Sequence, residues 1–99
     1  MKFNIEKLNK VFDNRIRVGI MSGLMVNESL SFKDLKEYLD LTDGNLASHL
    51  KNLEESEYIT VSKGFVGRKT NTTYQVTEEG KIAFKQHLAY LENLIKTLK

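Results

Sequence analysis

The chain contains two helical patterns separated by an unusually short connection. Ser31 is positioned to cap the first helix, and Phe32 and Leu35 begin its apolar stripe. This helix ends near Asp40, and Thr42 offers a second helix cap almost immediately afterwards. Because so few residues connect them, the two helices are predicted to cross steeply instead of lying antiparallel.

The second of these helices has one apolar face and one small, polar face. Leu46, Leu50 and Leu53 are spaced so that they share one side of the helix, which predicts that they are buried. At about 100° per residue, the opposite side presents Gly44 and Ser48 near its centre. This opposite side is therefore free to meet a partner.

Beyond residue 56 the pattern changes from a helical to a strand period. Residues 58–61, 65–66 and 73–76 are mostly of β-favouring types, which predicts a hairpin over 58–76. Residues 67–72 combine a glycine with polar side chains, which predicts a mobile loop longer than a two-residue turn. Residues 60–72 carry several cations and no acid, so this loop should project as a basic wing.

The two ends of the chain carry more apolar surface than one small domain requires. Apolar residues recur at helical spacing through residues 1–27, which predicts two helices or one kinked helix. The last helix, predicted over 78–98, has a heptad-like apolar stripe of the kind found in coiled coils. We therefore expect the terminal helices to form a homodimer. The predicted interface consists of Phe3, Leu8, Val11, Phe84, Leu88, Leu91, Ile95 and Leu98.

Length and composition limit the classes of protein to consider. A chain of 99 residues, 40% of them apolar and 28% charged, is typical of one globular domain. The longest nearly uncharged run, residues 18–27, is about half of the roughly 20 residues that span a membrane, so no membrane partner is predicted. The chain has no cysteine, which excludes disulfides and thiolate metal sites and fits a reducing cytoplasm.

Catalytic and metal-binding roles find little support. Ser48 and His49 are neighbours on one helix and point in different directions, so they cannot act as a nucleophile and its base. Metal sensors need cysteine or clustered histidine and carboxylate ligands, and His87 and Glu92 are too far apart on their helix to form such a pair. We predict no enzyme activity, no metal and no cofactor.

Two crossed helices followed by a basic hairpin form a unit suited to DNA. The second helix fits the major groove, and the hairpin loop reaches the adjacent backbone or minor groove. Small side chains let the helix approach base edges, where asparagine can bind adenine and lysine can bind guanine or phosphate. The predicted DNA-binding residues of the helix are Thr42, Gly44, Asn45, Ser48, His49, Lys51 and Asn52, and those of the wing are Lys63, Arg68, Lys69 and Thr70.

Several short motifs in this order resemble a known family. Residues 41–50 read Leu-Thr-Asp-Gly-Asn-Leu-Ala-Ser-His-Leu, and Leu53-Glu54, Gly67-Arg68-Lys69 and Thr77-Glu78-Glu79-Gly80 follow. Together they resemble the small MarR- and ArsR-like winged-helix regulators of bacteria and archaea over nearly the whole chain. The resemblance implies a homodimer that binds operator DNA with the helix and the wing. One departure from the family pattern is the lack of a proline near Thr70, which predicts a more flexible loop.

These observations predict an α+β winged helix-turn-helix, with a three-helix core, a β-hairpin wing and additional N- and C-terminal dimerisation helices. The single domain 1–99 comprises N-terminal helices in 1–27, a helix-turn-helix in 31–56, a wing in 58–76 and a dimerisation helix in 78–98. The predicted function is binding of a pseudo-palindromic double-stranded DNA site by a homodimeric transcriptional regulator, which represses by occlusion.

A winged helix that binds another protein instead of DNA is the alternative. The net charge of only +2 and the acidic cluster of Glu54, Glu55 and Glu57 keep this alternative open. Because the chain has no separate ligand domain, any small-molecule effector would have to bind at the dimer interface or in a groove between domains.

Overall fold

The structure, a computed structural model that describes residues 3–98, contains helices and an antiparallel sheet. This content confirms the predicted α+β class. The regular elements are α1 (Arg15–Val26), β1 (Leu30–Ser31), α2 (Phe32–Leu39), α3 (Asp43–Glu55), β2 (Ile59–Val66), β3 (Lys69–Val76) and α4 (Glu78–Thr97).

The segment before α1 differs from the prediction, whose range 1–27 begins two residues before the described part. In place of a first α-helix it forms two 3₁₀ turns, Ile5–Lys7 and Lys10–Phe12. Asn4 and Asn9 each accept a hydrogen bond from the backbone two residues further along the chain, which starts these short turns. Asn14 then caps α1 by accepting from the backbone N–H of Ile16.

Local caps define the two crossed helices. The Ser31 hydroxyl accepts from the Asp34 backbone N–H at 3.0 Å, and the Asp34 carboxylate accepts from the Ser31 N–H at 3.1 Å, which is a capping box. Asp40 then takes a left-handed conformation, φ 52°, which ends α2. Thr42 caps α3 through the Asn45 N–H, so the two helices are joined by only three residues, 40–42.

The sheet has the strand order β1-β3-β2, and both pairings are antiparallel. Val66 pairs with Lys69, so Gly67 and Arg68 alone form the turn between β2 and β3. The prediction of a longer loop over 67–72 is therefore wrong, since residues 69–72 belong to β3. Gly67 has φ +65°, and glycine at the first of two central positions suits a tight hairpin turn.

The core lies where α1, α2, α3 and the base of the hairpin meet. The predicted buried stripe of α3 is confirmed, because Leu46, Leu50 and Leu53 are all fully or almost fully buried. The core as a whole consists of Phe12, Ile20, Met21, Leu24, Leu35, Leu46, Leu50, Leu53, Ile59, Tyr74 and Phe84.

A joint between the hairpin and α4 explains the Thr77-Glu78-Glu79-Gly80 motif. The Thr77 N–H donates to the Tyr58 carbonyl at 2.9 Å, and the Thr77 hydroxyl donates to the Glu57 carbonyl at 2.8 Å. The same hydroxyl caps α4 by accepting from the Gly80 N–H at 2.9 Å. Gly80 is buried against the Tyr58 backbone, where a side chain would collide. The end of α3, the hairpin and the start of α4 thus meet at one place.

Candidate nucleic-acid interface

The face of α3 opposite the leucine stripe is exposed and unoccupied by the rest of the chain. Asn45, Ser48, Lys51 and Asn52 are exposed along it, and nothing lies within 4 Å of the position that a side chain on Gly44 would take. Thr42, also predicted here, is exposed, but its hydroxyl caps the helix through the Asn45 N–H. This face can therefore approach a flat or grooved partner closely.

His49 is placed differently from the other predicted residues of α3. Its ring is half-buried, and its Nδ1 lies 3.1 Å from a guanidinium nitrogen of Arg17 on α1. Because arginine can only donate, Nδ1 accepts this bond, and the neutral ring carries its proton on Nε2. Burial, together with the Arg17 charge, lowers the pKa of His49 below its ordinary value of 6.5. His49 therefore holds α3 against α1, which is the structural role that its place beside the leucine stripe predicts as the alternative to a DNA contact.

Sequence reasoning missed Arg17 as part of this arrangement. The Arg17 Nε also donates to the Val11 carbonyl, so the guanidinium connects the N-terminal segment, α1 and α3. The sequence signal for this role was the cation Arg17 among the apolar residues of α1. Its partner, 32 positions away, could not be identified from the sequence.

The acidic side chains on α3 itself are either paired or lie in its last turn. Asp43, in the first turn, lies 2.7 Å from the Lys36 ammonium, and this pairing reduces the repulsion that its carboxylate would exert on phosphate. Glu54 lies in the last turn of α3, and burial, together with the Glu54 charge, raises the pKa of Tyr74 at the base of the hairpin. The acidic end of α3 therefore faces the hairpin base.

The hairpin carries the predicted wing residues on a two-stranded ribbon instead of a loop. Lys63 lies on β2, Lys69 and Thr70 lie on β3, and Arg68 alone of the four is in the turn. All four side chains are exposed. No acidic residue occurs in residues 58–77, so the ribbon is a purely cationic projection beside α3.

The apolar stripe of α4 divides into a buried and an exposed part. Phe84 is only 3% exposed and packs against Phe12, so its predicted place in a dimer interface is wrong and it belongs to the core. Leu91 is half-buried, while Leu88, Ile95 and Leu98 are exposed. The second half of α4 thus continues an apolar face that this chain does not cover.

The N-terminal segment packs along α4. The Asn9 N–H donates to Nδ1 of the buried His87 at 3.1 Å, and the rings of Phe3 and Tyr90 lie 5.5 Å apart. Leu8 is half-buried, and Val11 packs on the core. Phe3 is the most exposed of the three N-terminal residues assigned to a dimer interface. An open cleft of about 660 Å³ separates the 3₁₀ turns from α4.

Residues 3–98 hold neither a membrane-spanning helix nor a metal-binding cluster. None of the helices in this part of the chain combines the length and apolar character that crossing a membrane requires. The same residues contain no group of three or more histidine or carboxylate side chains placed to hold a metal ion.

A helix-turn-helix followed by a basic hairpin defines the class of winged-helix proteins. Residues 16–95 match the family model of the winged helix DNA-binding domain, and the chain belongs to this family. The predicted recognition of a winged helix-turn-helix is therefore confirmed. The family is one of DNA-binding domains and not a class of enzymes.

The chain is also similar to individual proteins. The chain is 37% identical over 90 residues to an uncharacterised protein of Methanocaldococcus jannaschii, covering 91% of this chain and 98% of that one. It is also similar to the solved structure of a transcriptional regulator homologue from Pyrococcus horikoshii, with 29% identity, a TM-score of 0.80 and coverage of 96% and 99% of the two chains.

The chain is also similar to a protein whose structure was solved in complex with DNA. Bacillus subtilis PadR in complex with operator DNA has a TM-score of 0.68 and 21% identity, covering 76% of this chain and 48% of PadR. At this identity the similarity concerns the fold alone.

Proposed function

We propose that this chain is a homodimeric transcriptional regulator that recognises a pseudo-palindromic double-stranded DNA site and represses by occlusion. The observation that carries the proposal is the position of the small, polar face of α3 beside a projecting hairpin that carries cations and no acid. Within the winged-helix family we assign the chain to the MarR- and ArsR-like regulators. Such a protein works beside DNA, in the cytoplasm.

The exposed face of α3 would read bases in the major groove. Asn45 and Asn52 carry amides that can bind adenine through two hydrogen bonds, and Lys51 can reach guanine. Gly44 and Ser48 lie on the part of the face between these asparagines and Lys51, and both are small, so the helix backbone can come close to the base edges. Arg68 and Lys69 would bind phosphates, which add affinity without sequence preference.

The exposed half of α4 would form the dimer interface. Ile95 is 58% exposed and continues the stripe that Phe84 begins in the core, so a second copy could bury it. In a twofold dimer the two α3 helices would enter successive major grooves about 34–36 Å apart. Any effector would bind at this interface or in the cleft beside α4.

Two double variants test the proposed roles of α3 and the hairpin. Their binding is measured on a duplex selected by the protein from random sequences and on a scrambled duplex. Arg68→Ala with Lys69→Ala should weaken binding to specific and scrambled duplexes alike. This variant should also lower the salt dependence by about one unit for each phosphate contact that a subunit no longer makes. Ser48→Ala with Lys51→Ala should instead erode preference for the selected site, by about 1–3 kcal/mol for each good base contact that is removed.

The control variant Lys85→Ala with Lys96→Ala removes the same charge from α4, and it should leave discrimination between the two duplexes unchanged. Full discrimination in the α3 variant, with loss in the hairpin variant, would contradict the assignment of α3 as the reading helix. Absence of duplex binding at every salt concentration, with capture of a protein through Glu54 and Glu55, would favour the protein-interaction alternative.

The proposed dimer has its own test. Leu91→Glu with Ile95→Glu should convert a dimer into monomers in sedimentation experiments, because two carboxylates would enter the apolar interface. Ala89→Glu with Asn93→Glu makes the same four-residue-spaced change on the opposite, exposed side of α4 and should leave the dimer intact. An unmodified protein that sediments as a monomer at tens of micromolar would contradict the proposal.

A further inference from the structure

The tip of the hairpin exposes two large apolar side chains that nothing in the described chain covers. Phe65 is 74% exposed and Val66 is 67% exposed, at the end of β2 next to the turn. All side chains from residue 62 to residue 70 are exposed, so the tip stands clear of the core on both faces. Both apolar side chains at this tip are therefore available to a partner.

The strand register places Phe65 and Val66 on opposite faces of the ribbon. Phe65 lies opposite Thr70, and Lys63 lies opposite Thr72 on the same face of the ribbon. Val66 lies opposite Lys69 on the other face. Each apolar side chain therefore has a lysine on its own face, and Arg68 occupies the turn beyond both.

This combination of apolar and cationic groups indicates what kind of partner covers the tip. Lys63, Arg68 and Lys69 would repel the same three cations of a second copy, so a contact between two wings is disfavoured. A polyanion attracts all three, and residues 58–77 contain no acid to oppose it. The chain also belongs to a DNA-binding family. DNA is therefore the partner that fits.

We infer that Phe65 acts as a wedge that enters the minor groove beside the half-site read by α3 and partly unstacks one base step. The inference rests on the proposed function. Apolar side chains inserted from the minor groove kink a duplex by about 20–90° toward the major groove. Lys63, Arg68 and Lys69 bind the phosphates on either side of the opened step. The protein is thus a DNA-bending regulator as well as a DNA reader.

The shape of the tip suits a narrow groove. The minor groove is about 6 Å wide, and the axes of paired strands alone lie about 4.8 Å apart, so the Phe65 side chain would enter the groove while the ribbon stays at its rim. Gly64 carries no side chain and has nothing within 4 Å of its missing Cβ, and Gly67 begins the two-residue turn. Because these two positions are bare, the ribbon next to Phe65 is thin.

The wedge also predicts a feature of the DNA site. Pyrimidine–purine steps such as TA and CA are the easiest to unstack. The sites selected by this protein should therefore carry such a step at a fixed distance outside each half-site, where no side chain reads base edges directly.

Two measurements on the selected duplex test the wedge. The first uses 2-aminopurine placed at each position in turn, whose fluorescence rises when its step is unstacked. The second measures the bend by energy transfer between the duplex ends. Phe65→Ala should abolish the fluorescence rise, straighten the duplex and weaken binding about tenfold, because it removes one large apolar contact. Phe65→Leu should retain the bend, since leucine also serves as a wedge.

Val66→Ala is the matched control, because it removes an apolar side chain from the other face of the same tip and should leave the bend unchanged. Tight binding of an unbent duplex, equal for wild type and Phe65→Ala, would overturn the wedge and leave the proposed function standing. Absence of duplex binding by the wild type would overturn both. Loss of the dimer in Phe65→Ala, measured without DNA, would overturn the wedge by assigning the tip to a contact between subunits.

Discussion

The substitution Gly80→Ala tests the joint between the hairpin and α4, because it adds one methyl group at the point of closest approach. An ideal Cβ at residue 80 lies 3.0 Å from both the Tyr58 carbonyl carbon and the Val76 Cγ2, and closer still to the Tyr58 carbonyl oxygen. Carbon atoms need about 3.5–4.0 Å, so the first turn of α4 must move by roughly 1 Å.

The free-energy cost follows from what that movement disrupts. The two Thr77 hydrogen bonds to the Glu57 and Tyr58 carbonyls would be stretched beyond bonding distance, at about 0.5–1.5 kcal/mol each. Overpacking adds about 1–3 kcal/mol to this cost. The better helix propensity of alanine offsets up to about 1 kcal/mol of it. We therefore expect Gly80→Ala to lower the free energy of unfolding by about 2–4 kcal/mol.

Urea unfolding at one fixed protein concentration measures this loss without confusing it with dissociation of a dimer. Gly44→Ala is the matched control, since it makes the same change in the first turn of α3, where nothing lies within 4 Å. It should raise the free energy of unfolding by up to about 1 kcal/mol. A Gly80→Ala protein that is as stable as wild type would refute the argument that Tyr58 excludes a side chain there.

Two further predictions concern the helix contacts. Because the pKa of His49 is lowered in the folded state, the unfolded chain binds more protons below pH 6.5, so stability should fall as pH decreases from 6.5 through the lowered pKa. His49→Gln should remove that part of the pH dependence in urea midpoints measured between pH 7.5 and pH 5.5, and an unchanged slope would contradict the assignment. Ser31→Ala should lower the free energy of unfolding by about 1 kcal/mol by removing half of the capping box, whereas Ser29→Ala, before the cap, should have no effect in the same assay.

The parts of the fold that the sequence predicts correctly depend on local rules. The leucine spacing of α3 follows from the helical period, and Ser31, Thr42 and Thr77 cap helices through hydroxyls that bind backbone a few residues away. These signals involve short separations along the chain. They were sufficient to identify the crossed helices and the helix that follows the hairpin.

The errors arise where distant contacts override local patterns. Residues 69–72 are polar and resemble a loop, but β3 is exposed at this end, so no alternation of apolar and polar residues marks it as a strand. Phe84 belongs to the same stripe as Ile95, and the spacing alone cannot distinguish a side chain buried within one chain from one buried between two. The early 3₁₀ turns depend on Asn9, whose backbone binds His87 and whose side-chain amide binds Tyr58.

The joint at Thr77 and Gly80 gives the proposed function a mechanical basis. Thr77 bonds to the carbonyl of Glu57 just beyond α3 and to that of Tyr58, and it caps α4, so the end of α3 and the start of α4 are held by the same few backbone atoms. In a dimer formed by α4, the distance between the two reading helices is therefore set at this joint. In the same proposal, the exposed face of α3, which takes no part in the joint, would select the bases of each half-site. Under the proposed function, half-site spacing and half-site sequence would thus be controlled by separate residues, so a chain that keeps Thr77 and Gly80 could change Asn45, Ser48 or Lys51 without altering the geometry of the proposed dimer.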